Sequence, residues 1–91
     1  MKIINRIRDA IYEQKYRVSL HANEEMSEDD IEINDIESIV LTGSISRKFT
    51  HDPRGARYEI IGKTTDGRQG FVICRFLPSK VLLVITAYVE K

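Results

Sequence analysis

The chain has 91 residues, of which 31% are charged and 42% hydrophobic, and its acidic and basic side chains balance at 14 each. That suffices for one domain with a single modest core, and no apolar run is long enough to cross a bilayer. No charged-then-apolar signal segment opens it, and the lone Cys74 excludes an internal disulfide and suits a reducing, cytoplasmic setting.

Lys2 to Gln14 reads as a helix, because Ile3, Ile4, Ile7, Ala10 and Ile11 recur at helical spacing and form one stripe. Tyr16-Arg17-Val18 is extended or a connector. Ser19 is the expected N-cap of a second helix over Leu20–Asp29, with Leu20, Ala22 and Met26 buried and His21 and Glu25 on one shared face. Asn34 or Asp35 caps a third helix, in which Ile36, Ile39 and Val40 face inward. Gly43 is expected to stop it in a left-handed conformation.

Beyond Gly43 the period changes from helix to strand. Four strands are expected: Ser44 to Thr50, Arg57 to Thr64, Gly70 to Leu77 and Val81 to Val89. Asp52-Pro53-Arg54-Gly55 and Asp66-Gly67 carry turn chemistry. The break at Pro78-Ser79-Lys80 is short enough to force an antiparallel hairpin. Cys74 lies inside the most apolar strand and reads as a small buried hydrophobe. The expected class is α+β, one domain over residues 1–91. A helical part (1–43) packs on a four-stranded antiparallel meander (44–91), with Ile3, Ile7, Ile11, Met26, Ile36, Ile39 and Val40 covering one face.

The zero net charge hides a segregation. Ser19 to Gly43 holds eight acids and no lysine or arginine, whereas Ser44 to Lys80 holds eight bases against three acids. Either a phosphate-binding face lies beside an acidic one, or the two halves neutralise each other within the fold.

Several chemistries are absent from the sequence. There is no glycine-rich phosphate loop or dinucleotide fingerprint, and two histidines and one cysteine far apart make no zinc site. The acids from Glu28 to Glu32 lack the glycine and alternation of a calcium loop. No metal or cofactor is expected. What remains suits metal-independent phosphodiester chemistry, which needs a proton acceptor, a proton donor and positive charge on the phosphate. His21, Arg57, Arg75 and Tyr88 are the candidate catalytic residues, expected to meet in one cleft between the second helix and the sheet. Arg47, Lys48 and Thr86 are candidates for substrate binding. Each also has a structural explanation: His21 as a capping or surface residue, Arg57 paired with Glu59 or another acid, Arg75 paired with the acidic helices.

Ser19-x-His21-Ala22, Glu25-Met26, Ile31, Asp35-Ile36 and Gly43, followed by Tyr58-x-x-x-Gly62, Asp66-Gly67 and Ile85-Thr86-x-Tyr88, resemble the pattern of a small bacterial family, the domain-of-unknown-function family forty-two fifty-eight. That family is distantly similar to RelE/ParE-type toxins and related metal-independent ribonucleases. The resemblance therefore implies a helices-then-sheet fold and a cognate antitoxin-like partner. Relatives often carry arginine where this chain has Glu25 and Asp29, so the helix bearing His21 loses positive charge here. Two function classes follow. One is a toxin-like protein that cleaves RNA. The other is a non-catalytic binding or regulatory module, which can be a homodimer. The clustered arginines favour the first and the eight acids the second.

Overall fold

A computed structural model describes residues 2–91. Among these, three helices and five strands follow one another as α1 (Ile3–Tyr12), β1 (Tyr16–Val18), α2 (Leu20–Asp29), α3 (Ile33–Thr42), β2 (Ser44–Phe49), β3 (Arg57–Lys63), β4 (Gln69–Phe76) and β5 (Leu82–Val89). The class is α+β. The sheet order is β1-β5-β4-β3-β2, with β2 to β5 antiparallel in sequence.

The sheet is not a four-stranded antiparallel meander, as the sequence leads one to expect, but a mixed sheet of five strands. Tyr16–Val18 runs parallel to β5, in register with Leu82–Val84. Three residues carry no readable period, and the long crossover that parallel pairing requires is here almost the whole chain between them. The hairpin of β4 and β5 is antiparallel, as its short connection dictates, and Lys80 takes the positive φ of its turn.

Ile7, Ile11, Met26, Ile36, Ile39 and Val40 are buried against Ile60, Val72, Cys74, Leu82 and Val84, and Ile3 packs at the rim of this cluster. α3 is brought unusually close to the sheet by glycines. A Cβ on Gly62 would lie 2.1 Å from the Ile39 carbonyl oxygen, and one on Gly70 2.4 Å from Ile39 Cδ1. Gly43 ends α3 in extended backbone, φ −96°, and not in the left-handed region. What requires glycine there is space, since a Cβ would meet the Ile61 carbonyl oxygen at 2.3 Å. The third helix starts earlier than expected, with Glu32 as N-cap and Asp35 closing a reciprocal capping box. Leu20, expected inside, is 76% exposed.

α2 lies along the edge of β5 that β1 leaves uncovered. Ser19 caps α2 through its Oγ, which takes the Ala22 amide at 3.0 Å and donates to the Ile85 carbonyl at 2.8 Å. About two and three turns further on, Glu25 Oε1 accepts the Ala87 amide and Asp29 Oδ2 the Val89 amide, each at 3.2 Å. Side chains thus take the place of a neighbouring strand. Arg68 then clamps the far end of the helix, donating to the carbonyls of Asp29 and Asp30 at 2.8 and 2.9 Å.

The Val89 amide is the main reason why the Asp29 carboxyl lies below its ordinary value of 3.8 in the folded chain. The unfolded chain therefore takes up this proton first on acidification. The stability Asp29 adds is complete above about pH 4 and is lost as pH falls through the lowered native value. Replacing Glu25 or Asp29 by alanine is expected to cost about 1 kcal/mol each in urea unfolding, and to speed amide exchange at Ala87 or Val89 respectively. Unchanged stability and exchange in both variants would refute the edge-capping role.

Candidate functional site

Side chains alternate across a strand, so burial of Ile60, Val72 and Cys74 under the helices sends Arg57, Glu59 and Ile61 of β3, and Phe71, Ile73 and Arg75 of β4, to the opposite face. α3 packs on β3 and β4 from the first face, α1 packs on α3, and α2 lies on β5. Among the described residues no helix covers the second face. Bulges at Ser46 in β2 and at Ile85 in β5 keep the alternation in step with the neighbours, so that Arg47 stands opposite Glu59 and Thr86 opposite Ile73. Arg47, Glu59, Ile73 and Thr86 form one row across this open face.

Two carboxylates organise it. Asp52, in the β2–β3 connection, accepts the Arg54 amide at 2.9 Å, and its side chain is only 7% exposed. Its oxygens lie 3.3 Å from Arg54 Nε, 3.2 Å from Arg57 Nε and 3.7 Å from an Arg75 terminal nitrogen. The Arg54 amide, and then the guanidiniums of Arg54 and Arg57, hold the Asp52 carboxyl below its ordinary value. The Arg57 Nε–H is buried and not aligned for a hydrogen bond despite this proximity. Glu59, also buried, accepts the Ser46 hydroxyl at 2.8 Å, lies 3.5 Å from Arg47 Nε, and takes the Tyr88 hydroxyl at 3.5 Å. Burial, followed by the Glu59 charge, raises the Tyr88 pKa above its ordinary 10.0. The Tyr88 ring stacks on Phe71, centroids 4.8 Å apart. Phe49 lies beneath the guanidiniums of both Arg47 and Arg57, at 5.7 and 5.0 Å.

Arg57 and Arg75 therefore meet, through Asp52, while Arg47 and Tyr88 meet through Glu59. Thr86 shares their face, and Lys48 points the other way, over the Tyr58 ring at 5.8 Å. His21 is 65% exposed and pairs with Glu25 at 3.2 Å. Among the described residues no hydrogen bond or ion pair joins His21 to Arg57, Arg75 or Tyr88. Cys74 is buried, and burial pushes its thiol up to about 12. No group of three or more histidine, cysteine or carboxylate side chains suited to a metal occurs among the described residues, and no helix there is long and apolar enough to cross a membrane.

A family model described as Domain of unknown function (DUF4258) matches residues 18–89. The chain belongs to this family. The match begins at the end of β1 and ends with β5, so it takes in both the edge-capping helix and the open face. No curated protein and no solved structure matches the chain.

Asp52 and Glu59 escaped the reading of the sequence as site residues. Asp52 looked like the first residue of a turn, which it also is. The available signal was its spacing: an acid two residues before Arg54 and five before Arg57, in a half of the chain poor in acids. Neutralising Glu59 is expected to bring the Tyr88 ionisation back toward 10, since its charge opposes the phenolate. Ultraviolet absorbance titration of wild type and Glu59→Gln, with Tyr88→Phe to assign the transition, measures this. The same Tyr88 transition in both proteins would contradict the assignment.

Proposed function

We propose that the open face of the sheet binds single-stranded RNA, in a toxin-like protein that cleaves it without a metal. The observation that carries the reading is the placing of Arg57 and Arg75 on adjacent strands by one shared carboxylate, on the same uncovered face as the stacked Phe71–Tyr88 pair. Arginine clusters neutralise phosphates and planar side chains on a sheet face stack bases, and the two together suit a single strand rather than a duplex. Asp52 is shared among three guanidiniums and Glu59 pairs with that of Arg47, so the face keeps a surplus of positive charge while its guanidiniums are held in place.

The Glu59–Tyr88 pair supplies the proton chemistry. Tyr88 carries its proton at neutral pH, beside Glu59, and can donate it. In a cleavage step the strand's 2′-oxygen forms a bond to phosphorus as the bond from phosphorus to the 5′-oxygen breaks. Glu59 accepts the 2′-hydroxyl proton and Tyr88 protonates the departing 5′-oxygen. Arg47, Arg57 and Arg75 offset the charge that develops on the phosphate. The resemblance to RelE/ParE-type toxins is in keeping with this reading, and with a cytoplasmic protein held in check by an antitoxin-like partner.

A specific observation favours the non-catalytic module as second reading: Arg57, Arg75 and Tyr88 all have protein partners, and His21 is occupied by Glu25. Fluorescence anisotropy with a labelled single-stranded RNA, alongside cleavage read on a gel, separates the readings. Wild type is expected to bind with a steep salt dependence. Arg57→Ala with Arg75→Ala should weaken binding about tenfold or more and flatten the salt slope by about 2. Tyr88→Phe should stop cleavage and leave binding nearly unchanged. Cleavage by wild type selects the first reading, binding without any cleavage leaves an RNA-binding module, and no binding at low salt overturns the RNA reading and leaves the arginines structural.

A further inference from the structure

At one end of the open face the β2–β3 connection borders an open pocket of about 760 Å³, lined among others by Lys48, Phe49, His51, Pro53, Arg54 and Arg57. That volume is in the range of small-molecule sites. The pocket is separate from the Phe71–Tyr88 stack and shares Asp52 and Arg57 with the RNA reading. We propose that it binds a phosphate monoester, either of a free nucleoside monophosphate or of the 5′-phosphorylated end of a strand.

Charge and geometry carry the assignment. Arg54 and Arg57 bring two guanidiniums to the lining, against the single carboxylate of Asp52, while the Lys48 ammonium lies over the Tyr58 ring on the other side. Asp52 is turned inward: it is 7% exposed, and its oxygens are taken up by the Arg54 amide and the guanidiniums. It therefore orients Arg54 and Arg57 without presenting its own charge to a ligand. Two guanidiniums and the His51 ring offer donors to the three free oxygens of a monoester, which carries about −1.5 to −2 at neutral pH, whereas an internal phosphodiester presents fewer oxygens and a single charge. His51 is exposed and makes no hydrogen bond or ion pair among the described residues, so its ring nitrogens are available to phosphate oxygens. Phe49 and Pro53 give the other wall an apolar surface of the kind a sugar and base pack against. The Phe49 ring is already fixed between Arg47 and Arg57.

The inference extends the RNA-binding reading but is tested without RNA. Calorimetric titration of the intact chain with adenosine monophosphate, with adenosine as control, is the first arm. The nucleotide should bind and the nucleoside should not. His51→Ala and Arg54→Ala, both exposed positions, should each weaken nucleotide binding about tenfold, while Lys63→Ala on the far end of β3 should not. Thermal melting of the variants shows that they remain folded. In a second arm, 5′-phosphorylated RNA is compared with the same strand bearing a 5′-hydroxyl. A preference for the phosphorylated end that Arg54→Ala removes makes the strand the source of the phosphate, and nucleotide binding alone makes it the free nucleotide. If neither the nucleotide nor the terminal phosphate is preferred, or if both variants bind as wild type does, the pocket is not a phosphate site. RNA binding that depends on Arg75 but is indifferent to the terminal phosphate would leave the open-face reading standing while overturning this one.

Discussion

Everything about the second face of this sheet depends on where α2 lies. A helix of ten residues following a three-residue strand had two places to bury its apolar side: on a face of the sheet, or along its edge. Its hydrophobic stripe is narrow, with only Ala22 and Met26 buried, and too small to cover a face. Instead the helix offers polar groups at Ser19, Glu25 and Asp29, and these meet the backbone of β5 at Ile85, Ala87 and Val89. An open strand edge carries unpaired amides and carbonyls and invites pairing with other chains, and carboxylates spaced along a helix satisfy and shield it. The helix is thereby used up at the edge, and the face bearing the arginines is left without a covering layer.

This placement also explains how the charges are segregated. Three of the eight acids between Ser19 and Gly43 serve backbone amides: Glu25 and Asp29 those of β5, and Asp35 those of Glu32 and Thr65. Burial disfavours ionisation of Asp35, but the amides of Glu32 and Thr65 and the Thr65 hydroxyl outweigh it and hold its carboxyl below the ordinary value. The arginines of the sheet find their partners within their own half, at Asp52 and Glu59. The two halves therefore do not neutralise each other by direct pairing, with Lys91 on Asp29 as a local exception. Arginine at position 25 or 29 could not accept a β5 amide, so the acids at these two positions are explained by the edge they cap.

Local chemistry made the elements readable. The isoleucine stripe of α1, the Ser19 cap, the Asp66-Gly67 turn and the Pro78-Ser79-Lys80 break each act over a few residues, and each is found as the sequence implies. Long-range placement was not readable. Tyr16–Val18 is a strand only because β5, over sixty residues later, lies beside it. Leu20 looked like a core position from its helical phase, but it stands at the start of a helix whose inward side faces an edge. Arg57 and Arg75 stood out as candidate anion-binding residues, and the anion they meet, Asp52, is neither Glu59 nor an acid of the helices but sits in a turn whose residues looked fully explained by turn chemistry. His21 shares a helix face with Glu25 as the spacing required, and that pairing is the contact it makes.

The claim on which this account rests is that the uncovered face, and not the helical side, meets nucleic acid. Nuclear magnetic resonance titration of isotope-labelled protein with a short single-stranded RNA tests it directly. The account predicts that amide shifts concentrate in β2 to β5, around Arg47, Arg57, Ile73, Arg75, Thr86 and Tyr88, with α1 and α3 unmoved. Shifts centred on α1 and α3, with these strand residues unaffected, would contradict it.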